Sequence, residues 1–238
     1  MVQAAHLTYT TPIAVAENML LAVKRNQAIT SYLTYFQMLT PNQLWAAIVS
    51  DTEKKCFWIN IYNSICLHYL RLYTQANDHK KIFSLPLFNI ANTVLTLDEI
   101  EHGILRKNKV KWGLGYITNP FVSTFIKKCS VAQLDYNIHF ALNCGVVSCP
   151  PITVYNTNDI ASQLKYNAIH YLQQECVLEH NHESIVLPSL IQWYQGDFVS
   201  NKQIINMLIQ YGIIPKHTSP KLLYKKYNWE LYLNNFLS

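Results

Sequence analysis

The chain has 238 residues, half of them hydrophobic and only 14% charged, with a formal net charge of +5. Such a composition excludes a disordered chain and is sufficient for a large buried core without disulfide staples. The basic residues are scattered in isolated pairs such as Lys54-Lys55 and Lys127-Lys128 rather than gathered into a stripe, which argues against a nucleic-acid partner.

In chain order, the opening MVQAAHLTYTTPIAVAENML lacks a basic leader followed by an apolar run and a small-residue cleavage site. A cytoplasmic location is therefore expected, with an exported chain whose signal has been removed as the alternative. No stretch approaches the ~18 to 20 apolar residues of a membrane span. Residues 14–24 and 28–38 carry apolar positions at helical spacing, and Thr40-Pro41 supplies an N-cap and a first-turn proline for a helix over 41–50. Together these form a predicted helical extension, residues 1–45, ahead of one globular unit over 46–238.

KKCFWINIYNSICLHYLRLY, residues 54–73, is apolar almost all round and unbroken by Gly or Pro, which predicts a central buried helix. Cys56, Asn60, Asn63 and Leu67 share one face of it. Two buried asparagines must each find partners, because an unpaired amide costs about 1–3 kcal/mol. Either they tie down neighbouring loops or they line a site. Thr96 and Glu99 make a capping box for a helix from about 97 to 107. Asp98, His102 and Arg106 follow at i, i+4 intervals on it, while Glu101 falls on an otherwise apolar flank. A lone acid there needs a partner, an Arg or a His to be oriented.

HFALNCGVVSCPPI, residues 139–152, follows. The run IHFAL suits a short buried strand, and Asn143, Gly145 and the Pro150-Pro151 pair then impose a loop. A helix over 158–176, a strand at 184–188, two helices up to Gly212 and, in LLYKKYNWELYL, a final strand leading into a loop follow.

The six cysteines, at 56, 66, 129, 144, 149 and 176, are too dispersed for a disulfide scaffold. Only Cys144 and Cys149 approach the spacing of a zinc-ligand pair, and no second pair follows, so no metal is expected. Neither a G-x-S-x-G elbow nor a phosphate-binding glycine loop is present. Thiol chemistry remains: a Cys becomes a nucleophile beside a His that an acid or amide orients. Cys149, on a proline-bounded loop, and His139 nearby meet that need by type, although a buried Cys is more often a small hydrophobe.

FWINIYNSICLH (57–68), LDEIEHGILR (97–106), IHFALNCGVVSCPPI (138–152) and YNWELYLN (227–234) resemble, in order, the signature blocks of the family catalogued as domain of unknown function 547. The resemblance implies an α+β fold related to papain-like and transglutaminase-like cysteine enzymes, a helix-rich layer on a small antiparallel sheet. It implies Cys149 as nucleophile, His139 as base and Glu101 as the acid that orients or charges the pair. Asn60, Asn63, His102 and Arg106 become pocket residues, Asn143 part of an oxyanion-binding loop, and Cys144 a wall or redox residue. The chain differs from the family in having Asp135-Tyr136-Asn137 where relatives have Asp-Pro, and Asn228 where they have Asp.

The activity these blocks imply is hydrolysis or transfer at a peptide-like or glutathione-like amide, with no cofactor beyond glutathione as a ligand. Two other readings stand beside it. One is a non-catalytic module that binds glutathione or a peptide, and the other is a redox protein using a reversible Cys144–Cys149 disulfide.

Overall fold

The computed structural model describes residues 11–73, 79–179 and 181–237. The first ten residues of the predicted extension, on which the reading of the leader rests, lie outside the described residues.

The N-terminal helices form where their caps and apolar spacing place them. Helix α1 (Pro12–Lys24) is capped by Thr11, whose hydroxyl accepts from the Ala14 amide at 3.2 Å. Helix α2 (Thr30–Met38) follows, and α3 (Pro41–Ala47) starts at the predicted Thr40 cap with Gln43 closing a capping box. It stops three residues short of the prediction. The Ser50 hydroxyl and Glu53 carboxylate close a second capping box there, and this starts α4 (Asp51–Leu72). In α4 every side chain from Cys56 to Leu67 is buried, as an all-round apolar helix requires. Met19 and Leu20 of α1 belong to the same apolar core as Trp58 and Ile61 of α4, so the N-terminal helices are integral to it.

After a short 3-10 turn the chain makes a hairpin that its local sequence pattern does not predict. Strands β1 (Phe88–Ile90) and β2 (Thr93–Leu95) pair antiparallel across Ala91 and Asn92, both with positive φ. A two-residue turn of this kind ordinarily advertises itself with glycine. Here the Ala91 amide is instead tethered to the Phe36 carbonyl at 3.0 Å. The Thr96–Glu99 capping box is present, but the helix it opens, Glu99–Leu105, is a π-helix. The Arg106 amide reaches Glu101 O at 2.8 Å and the Asn108 amide reaches Gly103 O at 2.9 Å. Segments of this kind are rare and concentrate at functional sites.

Helix α5 (Thr124–Cys129) leads to the predicted strand IHFAL, and this expectation is corrected. Tyr136–Phe140 is a 3-10 helix, capped by Asp135, whose carboxylate accepts from the Asn137 amide at 3.0 Å. A short apolar run does not distinguish strand from helix by itself, and the cap decided it. Helix α6 (Ile160–Glu175) matches the expected 158–176. Strands β3 (Val177–Leu178), β4 (Ser184–Leu187) and, beyond α7 (Ser189–Trp193), a 3-10 turn Gln195–Phe198 and α8 (Asn201–Gln210), β5 (Lys221–Tyr224) form a sheet in the order β3-β4-β5. The expected antiparallel sheet is mixed: β3 and β4 run antiparallel, but β4 and β5 are parallel, Ser184 facing Lys221 and Leu187 facing Tyr224. Two intervening helices separate β4 from β5, and such a crossover returns the chain in the same direction. The fold is thus helix-rich α+β with two small sheets.

Two apolar clusters result. One surrounds α1, α2 and α4; the other lies between α6, β4, α7 and α8. The 3-10 helix Tyr136–Phe140 bridges them, with Ile138 in the first cluster and Phe140 in the second. His139, between the two, is placed at the seam.

Candidate functional site

Five asparagines hold the loop that follows His139. Asn63 of α4 accepts from the Asn143 amide at 3.0 Å and donates to Ala141 O at 2.9 Å. Asn60, one turn away, clasps both backbone groups of Tyr155. Asn143 closes the loop on itself, donating to Pro150 O and accepting from the Gly145 amide, both at 2.7 Å. Asn167 of α6 donates to Phe140 O and Pro151 O, and Asn235 to Cys149 O. Asn60, Asn63 and Asn143 therefore do not line a pocket as expected. Their amides are spent on buried backbone groups, which a loop through a core must satisfy. Gly145, with φ +77°, lies where an added Cβ would come 2.3 Å from Leu70 Cδ1, so only glycine fits the turn.

The C-terminal segment lies along the same loop. Val147 N donates to Glu230 O, Tyr232 N to Gly145 O and Ile152 N to Asn235 O. This brings Tyr227 and Trp229, from the fourth block, to the loop. Asn228, the departure from the family pattern, is exposed and closes a turn by accepting from the Glu230 amide.

These elements enclose a cavity of about 490 Å³, within the range of small-molecule sites. Cys149, His139, Glu101, His102 and Cys144 all line it, together with an aromatic wall of Trp193, Tyr194, Tyr227 and Trp229. Glu101 and His102, adjacent on the π-helix, both face the cavity. Arg106 is fully buried behind them. Cys144 and Cys149 are disulfide-bonded, with Cα atoms 6.3 Å apart. The Cys144 amide points at Cys149 Sγ at 3.0 Å, and the Tyr227 hydroxyl lies 3.1 and 3.2 Å from the two sulfurs.

The acid that orients His139 is Asp197, not Glu101. His139 Nε2–H donates to Asp197 Oδ2 at 2.8 Å, and Arg106 Nε–H donates to the same oxygen at 2.6 Å. All three side chains have no solvent exposure. The His139 ring stacks on Tyr194 at 4.0 Å, while its Nδ1 has no hydrogen-bond partner among the described residues. Glu101 instead accepts from the Tyr194 hydroxyl at 2.6 Å and the Tyr62 hydroxyl at 3.1 Å. Asp197 carried one sequence signal: like Glu101, it is a lone acid in an apolar run, SLIQWYQGDFV. The segment that holds it is strained. Val199 has φ 70° and ψ −54°, closing a γ-turn through Ser200 N to Phe198 O at 2.8 Å, a conformation rarely adopted by a β-branched residue.

Arg106 Nη1 lies 2.9 Å from His102 Nδ1. A guanidinium only donates, so Nδ1 must accept and the His102 ring is neutral with its proton on Nε2. Burial lowers the pKa of His102, Glu101 pulls against it, and Arg106 adds to the lowering. Burial likewise holds His139 below the ordinary imidazole value, against the pull of Asp197. For the two acids the balance is reversed. Burial resists ionisation of Glu101, but His102, the Tyr194 hydroxyl, Arg106 and His139 outweigh it, and the carboxyl stays below its usual value. Burial of Asp197 is similarly outweighed by its bonds to His139 and Arg106. A neutral His139 beside an ionised Asp197 is a competent proton acceptor.

Two depressed imidazoles make stability depend on pH. Below about pH 6.5, the value of an unperturbed His, the unfolded chain takes up protons that the folded chain refuses. The stability they confer is complete above that pH and declines as pH falls toward their folded values. Thermal unfolding measured from pH 7.5 to 5.5 should show a falling midpoint, with a shallower slope in His139→Gln; identical slopes would contradict the assignment.

Among the described residues no three His, Cys, Asp or Glu side chains converge as a metal site requires, and no helix is long and apolar enough to cross a membrane. The family model described as "Protein of unknown function, DUF547" matches residues 47–172, just over half the chain. No curated protein and no solved structure matches.

Proposed function

The chain belongs to the DUF547 family, and from that premise we propose that it is a cysteine-dependent hydrolase or acyltransferase acting on a peptide-like amide, with a fold related to the papain-like and transglutaminase-like enzymes. One observation carries the reading: His139 shares a cavity with Cys149, is held through Nε2 by a buried Asp197, and keeps Nδ1 without a partner among the described residues.

The reaction starts from the reduced pair. His139 accepts the Cys149 proton at Nδ1, and the thiolate attacks the amide carbon. The oxyanion then takes hydrogen bonds from the donors beside the sulfur, the Cys144 amide and the Tyr227 hydroxyl. This narrows the expected oxyanion loop, since the amides of Asn143, Gly145, Val147, Ser148 and Cys149 are already bonded elsewhere. The His139 imidazolium returns its proton to the leaving amine. Water or a second amine then releases the acyl group from sulfur. Asp197 acts by positioning His139 and by balancing the imidazolium charge.

Iodoacetamide labelling tests it. After reduction Cys149 should react with an apparent pKa well below the ~8.5 of a free thiol, and His139→Ala should restore the free-thiol profile. A wild-type profile like that of a free thiol would defeat the proposal. A second reading, thiol–disulfide exchange, is favoured by the bonded Cys144 and Cys149. Cys144→Ser separates the two, because amide turnover survives it and disulfide cycling does not.

A further inference from the structure

The ligand class follows from how the cavity's charges are paired. Three of its lining side chains carry formal charge: Asp98, Glu101 and Lys111. Lys111 Nζ is engaged by both oxygens of Asp98, at 2.9 and 2.8 Å, and those two charges offset each other. The buried Arg106 is matched in the same way by Asp197. Among the described residues Glu101 has no such directly bonded counterion. Its oxygens take two phenolic hydrogen bonds, and the ring 3.7 Å away is His102, whose Nδ1 accepts from Arg106 and which is therefore neutral.

An ionised carboxylate that is 8% exposed and hydrogen-bonded by two neutral phenols has lone pairs to spare. Arg106 favours its ionised form through space but is bonded to Asp197, so the described residues bond no cation to Glu101 in a place where burial makes an unpaired charge costly. A cation entering the cavity removes that cost. The walls suit one as well. Trp193, Tyr227 and Trp229 cluster with ring centroids 4.6 to 5.8 Å apart, and aromatic faces attract cations while packing against an aliphatic stem.

We propose that the cavity takes a ligand bearing a protonated amine or guanidinium, such as the lysine or arginine side chain of a peptide-like amide, with the cation against Glu101 and its stem along the aromatic wall. The proposal rests on the cavity being the working site described above, but it does not require Cys149 to be a nucleophile. It also separates peptide-like from glutathione-like ligands. Glutathione has one ammonium, but it also brings two carboxylates close to it, and the cavity's own lysine is already engaged with Asp98.

Binding of Nα-acetyl-lysine-N-methylamide, its norleucine counterpart and glutathione, followed by calorimetry and by tryptophan fluorescence at pH 7.5, tests this. The titrations are run in parallel on wild-type and Cys149→Ala protein, so that the fate of the thiol chemistry has no bearing on the outcome. The lysine compound should bind at least about ten-fold more tightly than the norleucine one in both proteins, as a charge-assisted hydrogen bond requires. Glu101→Gln, which keeps the shape and the tyrosine contacts, should erase that preference. Equal binding of the two amides, tightest binding of glutathione, or a preference that survives Glu101→Gln would each overturn the proposal, and the wild-type comparison stands even if a variant fails to fold.

Discussion

Replacing Asp197 with alanine should lower the unfolding free energy by about 3–5 kcal/mol, the cost of leaving one partner of a buried ion pair uncompensated. Asp197 Oδ2 is the common acceptor for Arg106 Nε at 2.6 Å and His139 Nε2 at 2.8 Å, with all three side chains out of solvent. Without it the Arg106 guanidinium is a bare charge beside a neutral His102. A domain of this kind has only about 5–15 kcal/mol of total stability, so urea unfolding should show a clear drop in midpoint. Because most of the loss is the unpaired cation, Arg106→Met in the same background should recover part of it. A single-variant loss under about 1 kcal/mol, or a double variant no more stable than the single, would mean that the triad is not coupled as its geometry implies. Asp197→Asn gives the functional counterpart. It leaves the shape and removes the charge, and should raise the apparent pKa of the reduced Cys149 thiol by withdrawing support from the imidazolium.

Asn63→Ala should cost about 2–4 kcal/mol, because it strands two buried backbone groups at once. These are the Ala141 carbonyl and the Asn143 amide, at 2.9 and 3.0 Å from the Asn63 side chain. Hydrogen exchange reads the effect locally: the Asn143 amide should lose protection by far more than amides of α8. Asn228→Ala, at an exposed turn on the same loop's outer side, should change stability by no more than about 0.5 kcal/mol. If Asn63→Ala is equally mild, water replaces the side chain and the loop is not held from α4.

Much of this architecture is written in local patterns. The all-round apolar run at 54–73 announced the buried α4, and Thr40, with Pro41, and Thr96, with Glu99, announced two caps that the structure contains. Asn60 and Asn63, buried on one face of a helix, had to be bonded to something; of the two readings open to them, loop-holding is the one their hydrogen bonds satisfy. Cys149 and His139 were singled out from one block and Glu101 from another, and the three share one cavity. Where local pattern was ambiguous it failed. IHFAL is too short for its periodicity to choose between strand and 3-10 helix, and the β1–β2 turn uses Ala91 and Asn92 in place of glycine. The direction of β5 against β4 depends on which way two intervening helices return the chain, and neither strand's residues encode that.

By itself, then, the sequence determined which segments had to be buried, where several helices begin, and which thiol, imidazole and acid were unusual for their surroundings, because burial, capping and lone polar residues are properties of short windows. Only the tertiary structure decided which acid serves which base. His139 and Asp197 lie 58 residues apart, and their pairing, the diversion of Glu101 to Tyr62 and Tyr194, and the return of the C-terminal segment with Tyr227 to the Cys144–Cys149 loop are contacts between distant elements. Such contacts are selected by how two apolar clusters pack against each other, and packing is a property of the whole chain.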